Sequence, residues 1–181
     1  MKKIRLAILF LISFIFLVFF LILSTKANKP PVIKITVEGK EIEYTLGLNT
    51  WNGTKIDRED TFRYYMKRTF PEDLPYVLLG REIEIKFLGN VPDTVELADY
   101  ILMEDGNIKY NLPPSTTTPT PLTFKHKKAS FILSENFAAF FSSQSADYEP
   151  GATIRGFRIY CKDGKNNWEY GFIIRTDAIK Q

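Results

Sequence analysis

A chain of 181 residues with 24 basic and 21 acidic side chains, one histidine and one cysteine excludes several functions before any motif is read. The net charge of +3 comes entirely from Lys2, Lys3 and Arg5. The rest of the chain is charge-balanced and offers no basic face to displace counterions from nucleic acid, and with Cys161 alone there is no internal disulfide and no redox cysteine pair.

Leu6 to Leu23 (LAILFLISFIFLVFFLIL) is uncharged, with Ser13 its one hydroxyl. Eighteen residues in helix reach about 27 Å, close to the hydrocarbon thickness of a bilayer, and the stretch has no polar face that would make it a soluble core helix. We expect residues 6–24 to form a single transmembrane signal anchor, behind a cytoplasmic basic flank at residues 1–5 and ahead of a spacer at 25–31. The alternative is a signal peptide cleaved near Ala27, although its apolar region would exceed the usual 7 to 15 residues or so. A lipoprotein is excluded, because no cysteine lies near the end of the apolar run. Three basic residues precede the span and Lys26 and Lys29 follow it, which places the N-terminus in the cytoplasm and the C-terminal domain outside.

After the anchor about 150 residues remain, enough for one domain with its own core. Val32 to Val37 and Glu41 to Leu46 alternate apolar and polar around Glu38-Gly39-Lys40, which predicts a hairpin with Ile42, Tyr44 and Leu46 on one face. Gly47 to Gly53 reads as a glycine-bounded loop carrying Trp51. The one convincing soluble helix is Asp57 to Thr69. Asp57 caps it, Phe62, Tyr65, Met66 and Phe70 form its apolar stripe, and Pro71 stops it. Glu82 to Leu88 predicts a strand with Ile83, Ile85 and Phe87 inward, and Val95 to Leu102 with Ile108 to Leu112 predicts a second hairpin.

Pro113 to Pro121 (PPSTTTPTP) is a Pro/Thr-rich loop, extended and solvated, within the domain rather than a boundary. Phe124 to Leu133 reads as one strand, and Phe137 to Phe141 is too short an apolar run to assign. Thr153 to Cys161, the Asp163-Gly164-Lys165-Asn166 turn and Asn167 to Thr176 make the clearest hairpin. Phe157, Ile159 and Cys161 line one face of its first strand, and Trp168, Tyr170, Phe172 and Ile174 one face of its second. The whole predicts a mainly β, antiparallel sandwich with one short helix over residues 32–177.

The hairpin leading into Gly47 to Trp51 (Gly-x-x-x-Trp), the Ile83 to Phe87 strand (Ile-x-Ile-x-Phe) and the terminal Arg155-Gly156-Phe157 hairpin resemble a loose group of uncharacterised membrane-anchored extracytoplasmic proteins of Gram-positive bacteria. The resemblance spans Val32 to Asp177 through short motifs. It implies an immunoglobulin-like or related β-sandwich outside the cell and brings no reaction with it. The helix and the Pro/Thr insert depart from a plain seven-strand sandwich.

His126, the only histidine, sits among Lys125, Lys127 and Lys128, whose charges repel a cation; this reads as a solvated basic segment able to touch anionic lipid. Cys161 continues an inward face and reads as a small core residue. The pairs Glu41/Glu43 and Glu82/Glu84 alternate with apolar residues, as solvent-face charges do, and Asp57, Glu59 and Asp60 are explained by helix capping. No phosphate-cradling glycine loop, nucleophile elbow or zinc helix occurs, so we expect no metal or cofactor and no enzyme. The best candidate contact surface is Asn49, Thr50, Trp51 and Asn52, unless Trp51 instead caps the core. The expected function is a single-pass, membrane-anchored extracytoplasmic module that binds or assembles with an envelope protein or polymer. Its rivals are an envelope-acting hydrolase using surface carboxylates and a secreted binding protein.

Overall fold

In the computed structural model, residues 29–56, 59–110 and 118–180 are described. The stretch Leu6 to Leu23, Asp57 and most of the Pro/Thr insert lie outside these residues, and among the described residues no helix is long and apolar enough to cross a membrane.

Among the described residues, period-two alternation accompanies ten strands: β1 (Ile33–Val37), β2 (Lys40–Ile42), β3 (Thr45–Trp51), β4 (Thr54–Ile56), β5 (Glu82–Phe87), β6 (Thr94–Leu102), β7 (Thr120–Pro121), β8 (Lys128–Ile132), β9 (Thr153–Asp163) and β10 (Asn166–Thr176). They pair antiparallel into a four-stranded sheet, β2-β1-β5-β8, and a six-stranded sheet, β4-β3-β10-β9-β6-β7, which face each other as in a β-sandwich. Ile33, Ile35, Ile83, Ile85 and Phe87 from the smaller sheet meet Phe157, Ile159, Tyr170, Phe172 and Ile174 from the larger, none more than 2% exposed. The rings of Phe157 and Phe172, partners in register, stack with centroids 4.8 Å apart. Cys161 is a buried free thiol in this core, as expected.

Several elements depart from the sequence reading for identifiable reasons. The run Glu41 to Leu46 is not one strand: β2 ends at Ile42 in the smaller sheet and β3 begins at Thr45 in the larger, so the chain changes sheets at Glu43-Tyr44. Ile42, Tyr44 and Leu46 still pack against the same core, because both sheets face it. Gly47 to Trp51 is strand rather than loop, and the turn is Asn52-Gly53, both at positive φ (49° and 81°), the backbone that a two-residue hairpin requires. Phe124 to Leu133 is likewise broken by a tight turn at His126-Lys127, also at positive φ, with Lys125 and Lys128 exchanging backbone hydrogen bonds across it. The turn Glu104 to Asn107 is followed, among the described residues, by a single bridge, Leu102 to Ile108, and the end of the expected second strand, Asn111 and Leu112, lies outside them. Phe137–Phe141 forms a 3₁₀ turn in which Ala138 and Ala139 are buried and three phenylalanines face outward.

Helix α1 (Thr61–Met66) is shorter than predicted. Asp60 caps it, accepting from the Phe62 N–H at 3.0 Å, and the turn relaxes after Lys67, which leaves Phe70 74% exposed instead of on the buried stripe. Six residues do not hold a helix by themselves, so packing must do it. Phe62 lies on the outer face of the six-stranded sheet over Leu102, Ile154 and Ile173. Glycines on three adjacent strands make that approach possible. A Cβ at Gly156 would lie 2.5 Å from Leu102 Cδ1 and 2.8 Å from the Phe62 ring, one at Gly171 2.5 Å from Thr61 Cγ2, and one at Gly47 2.2 Å from Thr61 Oγ1.

Burial also sets how the fold responds to alkali. Desolvation pushes Tyr65 from 10.0 up to about 12, with a further push from Glu43 and an opposing pull from Arg68. Burial likewise pushes Tyr100, Tyr170 and the Cys161 thiol up. Each group holds its proton more tightly folded than unfolded. Its contribution to stability is therefore complete below the ordinary value and is lost as pH rises through the folded one. The midpoint of urea unfolding should hold steady up to pH 9 or so and then fall towards pH 12; a midpoint flat across that range would contradict the burial of these groups.

Candidate functional site: a groove on the outer face of the six-stranded sheet

The outward side chains of β6, β9, β10 and β3 lie in cross-strand rows. Under α1 the rows are small or apolar apart from Arg158, with Ala98, Arg158, Gly171 and Thr45 in one and Tyr100, Gly156 and Ile173 in the next. Beyond the helix they turn polar, with Thr94, Lys162, Asn167 and Thr50 in one and Glu96, Tyr160 and Glu169 in the other. These polar rows floor an open groove of about 540 Å³, walled by Leu48 and Ile56 on the β3–β4 side and by Pro119 on the other, with Lys55 at its edge. That volume suits a small ligand or a short stretch of a polymer.

Glu169 sits where the covered and open parts meet. It is 5% exposed, accepts a hydrogen bond from the Thr61 hydroxyl, and has room because Gly47 lacks a Cβ. Arg158, one strand away, donates to Asp60 and lies over the rings of Phe62 (4.6 Å) and Tyr100 (5.7 Å). Desolvation would lower the Arg158 pKa, but the charges of Asp60 and Glu169 outweigh it and hold the guanidinium above its ordinary value. The helix cap and the groove floor therefore share one polar network. Beside it the hydroxyls of Tyr100 and Tyr160 approach to 3.4 Å.

Of the four residues expected to form a contact surface, Asn49 and Thr50 line this groove, whereas Trp51 and Asn52 do not. The Asn49 side chain is buried and donates back to the Gly47 carbonyl at 3.2 Å. Trp51 points to the sandwich interior and meets Trp168 edge-on at 5.1 Å, so it caps the core, the alternative the sequence left open. Asn52 belongs to the hairpin turn and donates its N–H to Asn166 Oδ1 at 2.9 Å. Replacing Trp51 by alanine should lower stability by about 2 kcal/mol in chemical denaturation; an unchanged denaturation midpoint would return the residue to a purely binding role.

Lys125, Lys127 and Lys128 are exposed on and beside the turn leading into β8, and Lys128 pairs with Glu84 at 2.9 Å. His126 is exposed between them. Glu41 pairs with Lys34 at 3.0 Å, so these carboxylates are solvent-face charges of the smaller sheet. Among the described residues, no group of three or more His, Cys, Asp or Glu side chains is placed to hold a metal ion. Sequence reading missed Glu96, Tyr160, Lys162 and Glu169. The signal was present in β9 and β10, where polar residues alternate with the core positions, but only strand order shows that they converge.

Comparison with known proteins finds no matching family model, no matching curated protein and no matching solved structure.

Proposed function

We propose that the chain is a non-enzymatic binding module of the cell envelope, an immunoglobulin-like sandwich held at the outer surface of the membrane by the apolar segment at residues 6–24. The observation that carries the binding reading is the groove: two polar cross-strand rows are left bare where α1 stops, with apolar walls on either side. Lys55, Glu96 and Lys162 present charge beside a floor that also offers amide and hydroxyl groups. Such a surface suits a ligand with alternating apolar and hydrogen-bonding faces, as an extended envelope polymer or a partner chain has. The tethering reading rests on the length and apolarity of Leu6 to Leu23 and on the basic residues before it.

The test is capture from native membranes by the full-length chain after mild crosslinking, compared with a Thr94→Trp variant that fills the groove. The reading requires that the captured species fall away in the variant while its melting transition is kept. Identical capture by both chains would place the binding surface elsewhere.

A further inference from the structure

The smaller sheet ends in an apolar tip backed by lysines. Beyond the last paired residues of β1 and β5, Val32 and Leu88 continue the ladder, the Leu88 N–H donating to the Val32 carbonyl at 2.9 Å. Alternation turns both side chains to the outer face, where they are 57% and 55% exposed. Behind them on that face lies one cross-strand row of lysines, Lys34 opposite Lys86 and Lys86 opposite Lys128. Like charges set directly opposite one another destabilise a sheet, so this row is costly to the fold unless something outside it supplies negative charge. Glu41 and Glu84, from the next row inward, pair with Lys34 and Lys128 at 3.0 and 2.9 Å. Lys86, between them, makes no ion pair with a described residue. The exposed turn Lys125-His126-Lys127 leads into β8 beside this row and adds to the basic charge of the same end. The chain reaches the tip from Pro31, whose carbonyl accepts from the Tyr170 hydroxyl. Residues 25–31 alone separate Pro31 from the apolar segment, a reach of at most about 25 Å.

We propose that this end of the domain rests on anionic lipid headgroups, with Val32 and Leu88 in the interface and the lysine row and basic turn among the phosphates. The contact presupposes the tether at residues 6–24, which keeps the tip within reach of a bilayer, and adds to it an orientation of the domain and a lipid class. Apolar side chains with lysines set back from them are how an amphipathic surface meets a bilayer: the apolar groups enter the headgroup boundary and the ammonium groups stay with the phosphates. Each lysine near an anionic surface favours contact by roughly fivefold. Asp93 and Asp163 lie at this end too, but on the side of the larger sheet, where Asp93 accepts from the Gly164 N–H and Lys162 and Lys165 stand beside them. The groove opens on that other sheet, so the contact leaves it accessible. A second exposed apolar cluster, Phe137, Phe140 and Phe141, follows the Ile132 end of β8, at the far end of the sandwich. One membrane cannot meet both ends. Charge selects the lysine end, because Glu135 and Glu149 flank the phenylalanine turn and anionic headgroups repel them.

The test places a fluorophore on the full-length chain, at Asn90→Cys beside the tip or at Ser143→Cys beside the phenylalanines, in phosphatidylcholine vesicles with and without phosphatidylglycerol. Both sites are exposed, and Cys161 is buried and stays unlabelled. Quenching by a lipid spin-labelled at its headgroup should be strong at Asn90 in the anionic vesicles, weaker in the neutral ones, and slight at Ser143 in both. Lys86→Glu relieves the like-charge row, so it should keep or raise the melting transition, yet shift the contact equilibrium towards the free domain by roughly tenfold or more. A variant that merely disturbed the fold would lower the melt instead. Quenching at Ser143 rather than Asn90 would put the phenylalanine end on the lipid and overturn the proposal. So would quenching at Asn90 indifferent both to phosphatidylglycerol and to Lys86→Glu, since the tether alone then holds that end near the bilayer. Flotation of the vesicles after a concentrated-salt wash reads the tether separately. A chain that stays with the vesicles but shows no quenching at Asn90 keeps its anchor and refutes the lipid contact, whereas a chain washed off refutes both.

Discussion

Replacing Phe62 by alanine should destabilise the domain by about 3–5 kcal/mol, measured as the shift in the urea unfolding curve. The ring is fully buried between α1 and the six-stranded sheet, against Leu102, Ile154 and Ile173 and edge-on to Tyr100 at 5.8 Å. It is also the main apolar contact of a helix too short to persist unaided. The effect should therefore extend beyond a cavity. With the helix loosened, Asp60 no longer holds Arg158 and Thr61 no longer holds Glu169, so capture through the groove should fail together with stability. A loss below about 1 kcal/mol, the scale of a half-exposed side chain, would mean that the helix does not rest on the sheet as described.

The second large effect lies on the opposite face of β6, at Asp99, next to Tyr100 in the strand. Arg155 is 2% exposed; its Nε donates to Asp99 Oδ1 at 3.1 Å, a second nitrogen donates to Asp99 Oδ2, and a third reaches the Ser134 carbonyl at 2.5 Å. Asp99→Ala should cost about 2–4 kcal/mol, because it strands a buried guanidinium with one backbone acceptor. The partial exposure of Asp99 keeps the figure below that of a fully enclosed pair. Removing both charges, as Asp99→Leu with Arg155→Met, should cost less than Asp99→Ala alone, since no unpaired charge is then left behind. If the double replacement is the more damaging, the pair contributes net attraction and the desolvation argument is wrong here.

The contrast between β9–β10 and β2–β3 shows what alternation does and does not say. Thr153 to Thr176 was legible because one strongly apolar face, a glycine turn and matched strand lengths all point to one hairpin, and the observed register pairs Cys161 with Trp168 and Phe157 with Phe172. Glu41 to Leu46 alternates just as regularly, yet the chain leaves one sheet for the other in the middle of it. Alternation reports which side of a strand is buried, and both sheets bury the same side. The Asn52-Gly53 dipeptide was the available signal for the β3–β4 hairpin, and it was outweighed by the polar, glycine-bounded look of Gly47 to Gly53. Gly47 and Gly156, which carry two of the resemblance motifs, turn out to be landing positions for Thr61 and Phe62, a role that only the distance from helix to sheet reveals.

The groove was the least legible feature. Its floor is drawn from β6, β9, β10 and β3, separated by up to a hundred residues or more in sequence, and no local pattern links Glu96 to Glu169. Trp51 drew attention because large aromatic side chains so often mark contact surfaces. Here its neighbour Thr50 faces the groove while the tryptophan closes the core. One residue of shift along a strand exchanges the two faces, and with them the binding role.

The most direct test of the binding account is site-specific photocrosslinking in native membranes, with a benzophenone amino acid placed in the full-length chain at Lys55, at the edge of the groove, or at Lys40, on the outermost strand of the smaller sheet. The account predicts a defined adduct from Lys55 that is lost in the Thr94→Trp background and is absent from Lys40. Adducts of equal yield from both positions, or a Lys55 adduct indifferent to Thr94→Trp, would contradict it.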